Sequence, residues 1–396
     1  MSQTKSEKNV SLHAGQRKKS LMIFAALLLT AGAGSAFWYV NYGVGSEFTD
    51  DAYVNGNLVQ ITPEIVGTVT SITADDGDYV VKGQELVRFD NSDADIAFDT
   101  AEANLAQAVR QVRSMFNNTE QAKAVVAEQK IALRKAETDL SRRKNMVKAG
   151  GLSQEELSHA QDTVNSAEKA LAVAEQQMKA QEALIVNTNV STHPLVKNAI
   201  AQLRQAYLAK QRTALIAPVS GYIARRNVQV GQRVNPGSAL MAVIPLDQVW
   251  VDANFKETQL TGMRIGQPAT ITADLYGDKV EYHGTVESLG IGTGSAFSLL
   301  PAQNATGNWI KVVQRLPVRI QLNAEELKAH PLRVGLSMLV DVDTGNSKGE
   351  LLSQTSPAKP RYQTDVYTRQ LDGADGIIGQ IIAANDTQSS TLYVKK

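Results

Sequence analysis

Two short segments repeat one pattern of glycines, and neither can fold alone. Val66-Gly67-Thr68-Val69 is followed by Gly77 and Gly83, and Gly221-Tyr222-Ile223 by Gly231 and Gly237. In both copies the glycines fall ten and then six residues apart, while Val80, Leu86 and Phe89 match Val234, Leu240 and Val243. Each copy reads as short alternating strands joined by turns where glycine supplies a positive φ. One copy has too few strands to bury its own face, so the two must meet and close a small β-sandwich. Residues 91–215 lie between them and must leave and return without separating the halves.

That insertion has its own period. After Phe98, seam positions run Ala101, Leu105, Ala108, Val112, Met115, Thr119, Ala122, Val126, Gln129, Leu133, Ala136, Leu140, Arg143 and Val147, in alternating steps of four and three. Such spacing keeps one stripe facing a partner helix. A second run follows at Leu157, Ala160, Val164, Ala167, Leu171, Ala174, Met178, Gln181 and Ile185. Between the runs, Ala149-Gly150-Gly151-Leu152 stops the first helix, and Ser153 with Glu156 makes a capping box for the second. The spacing predicts a first helix over 92–148, roughly 85 Å long. The return breaks near 187–194, and a last helical stretch over 195–213 leads into the second half-motif. A free coiled-coil dimer is the alternative, but it leaves the two halves unjoined.

Residues 21–40 are uncharged and mostly apolar, long enough to cross a hydrocarbon core. Lys5, Lys8, Arg17, Lys18 and Lys19 precede them against a single Glu7, which places the N-terminus in the cytoplasm. Trp38, Tyr39 and Tyr42 stand where an aromatic belt meets the far interface. A cleaved signal peptide is the competing reading, with small-residue sites at Ala31-Gly32-Ala33 and Gly34-Ser35-Ala36. The uncleaved anchor is favoured because apolar and aromatic residues continue past both sites; on either reading the remaining chain is exported.

From 249 to 344 the chain reads as further strands with turns at Tyr276-Gly277-Asp278 and His283-Gly284, fitting a β-barrel of about six strands. Inside this region 290–309 is too long and too rich in Gly, Ser, Asn and Thr for an ordinary hairpin, so it is a candidate substrate or assembly loop, with Gly292, Phe297, Asn304 and Trp309 as its named members. Beyond Gly345 the sequence turns polar and reads as largely flexible, with at most a short helix at 374–384.

Little else carries chemistry. The 40 Lys+Arg balance 40 Asp+Glu, which gives no basic excess for nucleic acid. With no cysteine, thiolate nucleophiles, thiolate metal sites and disulfides are excluded. His13, His159, His193, His283 and His330 stand singly and read as surface residues, so no metal or cofactor site is expected. Gly290, Gly292 and Gly294 imitate a phosphate-loop fragment without its Gly-Lys-Ser/Thr. Asp50-Asp51 and Asp75-Asp76 read as solvated turn pairs, and Lys82 as a solvated turn residue. No nucleophile–base–orienter set is evident, so no catalytic residues are expected.

The repeated half-motif resembles the two halves of a lipoyl/biotinyl-type domain, with Gly67, Gly77, Gly83, Gly221, Gly231 and Gly237 as its structural glycines. In carrier domains of that type a modified lysine sits on the hairpin joining the halves; here the helical insertion occupies that place. Anchor, split motif, hairpin and barrel together resemble periplasmic membrane fusion proteins of the HlyD superfamily. Three strings resemble its EmrA-type subgroup: Thr49-Asp50-Asp51-Ala52-Tyr53-Val54, the run from Trp250 to Gln259, and the loop from Gly292 to Trp309. The resemblance implies an elongated α+β chain with an N-terminal transmembrane helix, a split lipoyl/biotinyl-like β-sandwich, a long antiparallel α-helical coiled-coil hairpin and a β-barrel domain. Its expected parts are a cytoplasmic basic arm (1–20), a transmembrane anchor (21–42), a membrane-proximal strand segment (43–60), lipoyl-like halves (61–91 and 216–246), the hairpin (92–215), the barrel (247–345) and a polar membrane-proximal or flexible tail (346–396).

The resemblance further implies a non-enzymatic adaptor without cofactors. It would link an inner-membrane major-facilitator drug/proton antiporter of the EmrB kind to a TolC-type outer-membrane channel, and assemble as a trimer or hexamer. In related adaptors the hairpin tip docks on the channel through Arg, Leu and Ser at fixed spacing. Arg142, Met146 and Ser153 fall at that spacing, with Met in place of Leu. The coiled-coil seam that holds the tip is represented by Leu105, Val112, Val126, Leu133, Leu140, Val164, Leu171 and Ile185. Competing functions are an adaptor of an ABC-driven type I secretion system, an acyl- or biotin-carrier protein, and a purely structural envelope coiled coil.

Overall fold

A computed structural model describes residues 14–42, 45–277, 279–294, 296–297 and 313–386, with the side chains of 14–18 and 36–42 outside that description. In chain order, helix α1 (Ala14–Tyr42) precedes strands β1 (Ser46–Asn55), β2 (Val59–Ile61), β3 (Gly67–Ile72), β4 (Tyr79–Val80) and β5 (Glu85–Phe89). Helices α2 (Ser92–Lys148), α3 (Gln154–Ile185) and α4 (Pro194–Gln211) follow, then β6 (Ala214–Ile216), β7 (Gly221–Ala224), β8 (Arg233–Val234) and β9 (Met241–Ile244). The chain continues with β10 (Trp250–Lys256), β11 (Pro268–Ala273), β12 (Glu281–Leu289), β13 (Arg315–Leu322), α5 (Ala324–Ala329), β14 (Ser337–Asp343) and α6 (Ala374–Asp386). Two compact units result: Met1–Val59, Val219–Ala224 and Ala242–Gln363 form one; Gln60–Pro218, Arg225–Met241 and Thr364–Lys396 form the other.

In the helical unit a sheet of order β6-β5-β3-β8 interleaves the two repeats. β8 of the second copy pairs with β3 of the first, Gly67 opposite Val234, and β6 pairs with β5, Glu85 opposite Ile216. Corresponding glycines do corresponding work: Gly77 and Gly231 lie at φ of 90° and 83°, Gly83 and Gly237 at 85° and 82°. Only glycine occupies that left-handed region without strain. Asp75 and Asp76 are exposed, as expected of solvated turn residues, and they also hold the other repeat. The Asp75 carboxylate accepts from Arg226 Nε at 2.6 Å, and that of Asp76 accepts the Arg226 backbone N–H at 2.8 Å.

The hairpin springs from this sheet. All fourteen seam positions of α2 from Ala101 to Val147 are buried or half-buried, and so are all nine of α3. Toward the tip the contacts run between α2 and α3, where Leu140, Ala160 and Val164 are buried against Leu133, Ala136 and Leu157. Toward the root α2 has different partners. Phe98, Leu105, Val109 and Val112 pack with Val196, Ala199 and Leu203 of α4 and with Ile378 of α6. The tail is therefore more ordered than its polar composition suggests, since α6 presents Ala374, Ile377, Ile378, Ile381 and Ile382 as one stripe at helical spacing. His193 is also not a surface residue. It is buried and caps α4, Nδ1 accepting from the Leu195 N–H at 3.2 Å while Nε2 lies 3.1 Å from Leu184 O.

In the second unit six antiparallel strands close a barrel of order β1-β10-β13-β12-β11-β14. β1, expected as a separate membrane-proximal strand, closes it by pairing with β10 on one side (Ala52 opposite Ala253) and β14 on the other (Phe48 opposite Asp341). Alternate residues Val251, Ala253 and Phe255 point into a core with Ile271, Tyr282, Ile320 and Val340. The Tyr282 hydroxyl donates to His330 O at 3.0 Å, and burial pushes its pKa up to about 12. β7 and β9 pair antiparallel with Tyr222 opposite Ile244. A Cβ at Gly221 would lie 2.5 Å from Ile244 O, so this close approach requires glycine.

Among the described residues no helix is long and apolar enough to cross a membrane. The part of the expected anchor with described side chains, 21–35, is shorter than the ~20 residues a span needs. The side chains of 36–42 lie outside the description. Within it, Leu21, Met22, Ile23, Phe24, Leu27, Leu28 and Leu29 are all exposed.

Candidate functional site

The hairpin tip follows from local rules. α2 ends at Lys148, where Ala149 N–H donates to Asn145 O and Met146 O, and Gly151 N–H to Met146 O at 3.0 Å. Gly150 turns the chain at a φ of 75°. Ser153 then opens α3: its Oγ accepts the Glu156 N–H at 3.2 Å, while its own N–H donates to Glu156 Oε2 at 3.1 Å. The hydroxyl also donates to that carboxylate at 3.0 Å. Hydrogen bonds from the Ser153 backbone and hydroxyl hold the Glu156 carboxyl below the usual carboxylate range. One lone pair of Ser153 is left for a partner.

Arg142 and Met146 stand one turn apart and both are exposed, Met146 by 50%. Arg143, on the seam, is tied to Asp139 at 2.8 Å. The tip therefore offers a guanidinium, a flexible thioether and a capped helix start, chemistry suited to a polar-and-apolar protein contact. Of the seam residues that carry this tip, Leu105, Val112, Val126, Leu140 and Val164 are buried; Leu133, Leu171 and Ile185 are half-buried. A groove of about 710 Å³ lies along α2 and α3, lined by Ala122, Val125, Ala170 and Val173 together with Lys169 and Gln177.

The barrel carries the other named residues. Gly290 N–H donates to Pro317 O at 2.8 Å as the long loop leaves β12. A Cβ at Gly292 would come 2.6 Å from the Phe297 ring, so that ring lies against the Gly292 backbone; Phe297 itself is 75% exposed, and Ile291 92%. Asn304 and Trp309 lie outside the described residues. The two other diagnostic strings prove to be neighbours. Thr49 Oγ1 donates to Asn254 O at 3.0 Å, Asn254 Nδ2 to Asp51 Oδ1 at 3.2 Å, and Gln259 Nε2 to Phe48 O at 2.9 Å. Asp51 also meets Arg315 at 3.0 Å, so this aspartate closes the barrel seam instead of standing in solvent.

One barrel cluster has no local signature in the sequence. The Arg319 guanidinium lies 3.7 Å from the Trp250 ring centroid, and Glu287 pairs with Arg319 at 2.8 Å and with Arg361 at 2.5 Å. Glu287 thus bridges two arginines, one of them stacked on Trp250, which reads as a fastening of the 345–363 segment to the barrel. Among the described residues no group of three or more His, Cys, Asp or Glu could hold a metal.

Comparison with known proteins gives consistent results for both parts. Residues 92–213 match the family described as EMRA, alpha-helical hairpin domain, and residues 248–343 the AAEA-like beta-barrel domain. The chain is similar to the Multidrug export protein EmrA of Escherichia coli strain K12, 49% identical over 339 residues that cover 86% of this chain and 87% of that one. Multidrug export protein EmrA of Haemophilus influenzae is 43% identical over 380 residues, covering 96% and 97%. Fatty acid resistance protein FarA of Neisseria gonorrhoeae is 47% identical over 333 residues, covering 84% of each chain.

Proposed function

The chain belongs to the EmrA-type membrane fusion proteins of multidrug efflux, and from that premise we propose that it is the periplasmic adaptor of a tripartite pump. It joins a proton-driven major-facilitator exporter of the EmrB kind in the inner membrane to a TolC-type channel in the outer membrane. The carrying observation is the hairpin: a 57-residue α2 whose seam is covered by α3 and the root helices, ending in a tip that leaves Arg142 and Met146 exposed. A helix of that length reaches roughly 85 Å, a span suited to a bridge.

The chain is anchored by a single pass at 21–42 with its N-terminus in the cytoplasm. The apolar residues 21–29, exposed on all sides of α1, support this, because a helix apolar all round has lipid or a protein core as its natural surroundings. The bridge is non-enzymatic, and the exporter supplies the energy. Copies assemble as a trimer or hexamer, for which the groove beside α2 and α3 offers a lateral surface. The cargo is hydrophobic drugs and uncouplers, and the name of the FarA relative adds fatty acids as a class to test. The exposed Ile291 and Phe297 give such cargo an apolar contact on the barrel.

The test is co-purification of the tagged full-length chain with both membranes solubilised, together with drug susceptibility of the deletion strain. Recovery of a major-facilitator exporter and an outer-membrane channel, with lost resistance on deletion, is expected. Recovery of an ABC ATPase in place of the exporter would overturn the reading in favour of type I secretion.

A further inference from the structure

We propose that residues 364–386 are a brace that fixes the root of the helical hairpin on the sheet from which it springs, and so sets the direction in which the tip points. The functional consequence rests on the adaptor reading; the mechanical claim does not.

The hairpin enters and leaves the sheet through short joints. Residues 90–91 separate β5 from α2, and 212–213 separate α4 from β6. β5 and β6 are neighbouring strands, so two such joints side by side leave a hinge about the line between them. A third attachment off that line removes the freedom, provided it grips both sheet and helices.

The 364–386 segment does this at both ends. On the sheet side Thr364 Oγ1 donates to Pro218 O at 2.8 Å, just after β6. Asp365 pairs with Lys82 at 2.5 Å, in the turn before β5, and with Arg369 at 2.7 Å. On the helix side Ile378 is buried between α2 and α4, with Ile377, Ile381 and Ile382 beside it. Polar ties flank the stripe: Arg204 of α4 meets Asp375 at 2.6 Å, Arg110 of α2 donates to Asn385 at 2.6 Å, and Arg113 of α2 pairs with Asp386. A Cβ at Gly373, where α6 begins, would stand 2.4 Å from the Tyr207 hydroxyl of α4. One segment thus touches the strand turns on both sides of the joints and both helices beyond them. The apolar stripe provides most of the binding, since a pair as exposed as Arg204–Asp375 contributes little alone; the half-buried Arg113–Asp386 pair fixes the register of α6 along α2, and a like charge in its place pushes α6 off that register.

The chain has no cysteine, so it can be spin-labelled cleanly. The full-length protein carrying Ser71→Cys on β3 and Asn117→Cys on α2, both exposed, reports the sheet-to-helix distance within one copy by pulsed electron resonance when the labelled chain is mixed with a large excess of unlabelled chain. A single narrow distribution is expected for the parent. Ile378→Asp should lose it in favour of a broad one, with amide protection lost over 377–382 and retained in the α2–α3 part of the hairpin. As a guard against misfolding, Arg113→Asp should broaden the distribution and addition of Asp386→Arg should restore it. A distribution that stays narrow while α6 has lost its protection overturns the proposal, as does failure of the charge swap to restore it. Drug susceptibility separates the two claims. Broadened variants that still co-purify with exporter and channel but lose resistance support both, whereas a broadened distribution in a chain that captures neither partner supports the brace and sinks the adaptor reading.

Discussion

Val125 and Val126 are adjacent on α2 and face opposite fates, which makes them a sharp test of the coiled-coil account. Val126 is 5% exposed on the seam, while Val125 is 41% exposed at the groove. Val126→Asp loses the burial of an isopropyl group, about 2 kcal/mol. It also places a carboxyl in the seam. If the site stays closed, the group must take a proton, and at pH 7 neutralising a carboxyl of ordinary pKa 3.9 costs about 4 kcal/mol. The closed seam is therefore destabilised by about 6 kcal/mol, an upper bound because a two-helix seam can part and let water reach the charge. Val125→Asp should change stability by no more than about 0.5 kcal/mol, as for other exposed substitutions. Amide exchange of the full-length protein, diluted in detergent until it is monomeric, reads both. Val126→Asp should open α2 and α3 locally by several powers of ten in exchange rate and leave the barrel strands protected, and Val125→Asp should match the parent. Equal effects at the two positions, in either direction, would refute the seam assignment.

Other consequences are as specific. The double substitution Val126→Asp with Leu133→Asp should abolish drug resistance while the chain still fractionates with the inner membrane. Gly221→Ala drives a Cβ to 2.5 Å from Ile244 O and should cost about 1–3 kcal/mol in thermal unfolding, as overpacking against backbone does. A hydrogen bond from Arg226, then the Asp76 backbone N–H, holds the Asp75 carboxyl below its ordinary value. A depressed folded-state pKa stabilises above the unfolded value and loses that effect as pH falls through the folded one. Asp75→Asn should therefore lower the melting temperature at neutral pH and match the parent in acid; a constant difference down to low pH would contradict the pairing. Arg142→Glu should weaken cross-linking of the tip to the outer-membrane channel without changing the helical content of the chain.

What the sequence disclosed tracks how local each signal is. Heptad steps from Ala101 to Val147, the Ser153–Glu156 box and the glycine spacings are each written within a few turns of chain, so the hairpin and the repeat were legible. The partner of β1 was not. Its alternation marks a strand, but nothing in 46–55 says that it lies between residues 250–253 and 337–343. Asp75 and Arg226 are likewise brought together only by the pairing of the two repeats. Helix α6 was missed as a packing element because the polar composition after Gly345 masks a thirteen-residue stripe; the spacing of Ile377, Ile378, Ile381 and Ile382 was the available signal. At the tip, the sequence carries the spacing of Arg142, Met146 and Ser153, whereas the double use of the Ser153 hydroxyl appears only with the turn in place.

The central claim is that the tip, and not the hairpin shaft or the barrel, meets an outer-membrane channel. Photo-crosslinking in living cells tests it directly, with the reactive residue placed at Met146, at Asn117 on the shaft and at Thr270 on the barrel, all exposed. The account predicts a channel adduct from Met146 alone. Channel adducts from Thr270 or Asn117 with none from Met146 would contradict it.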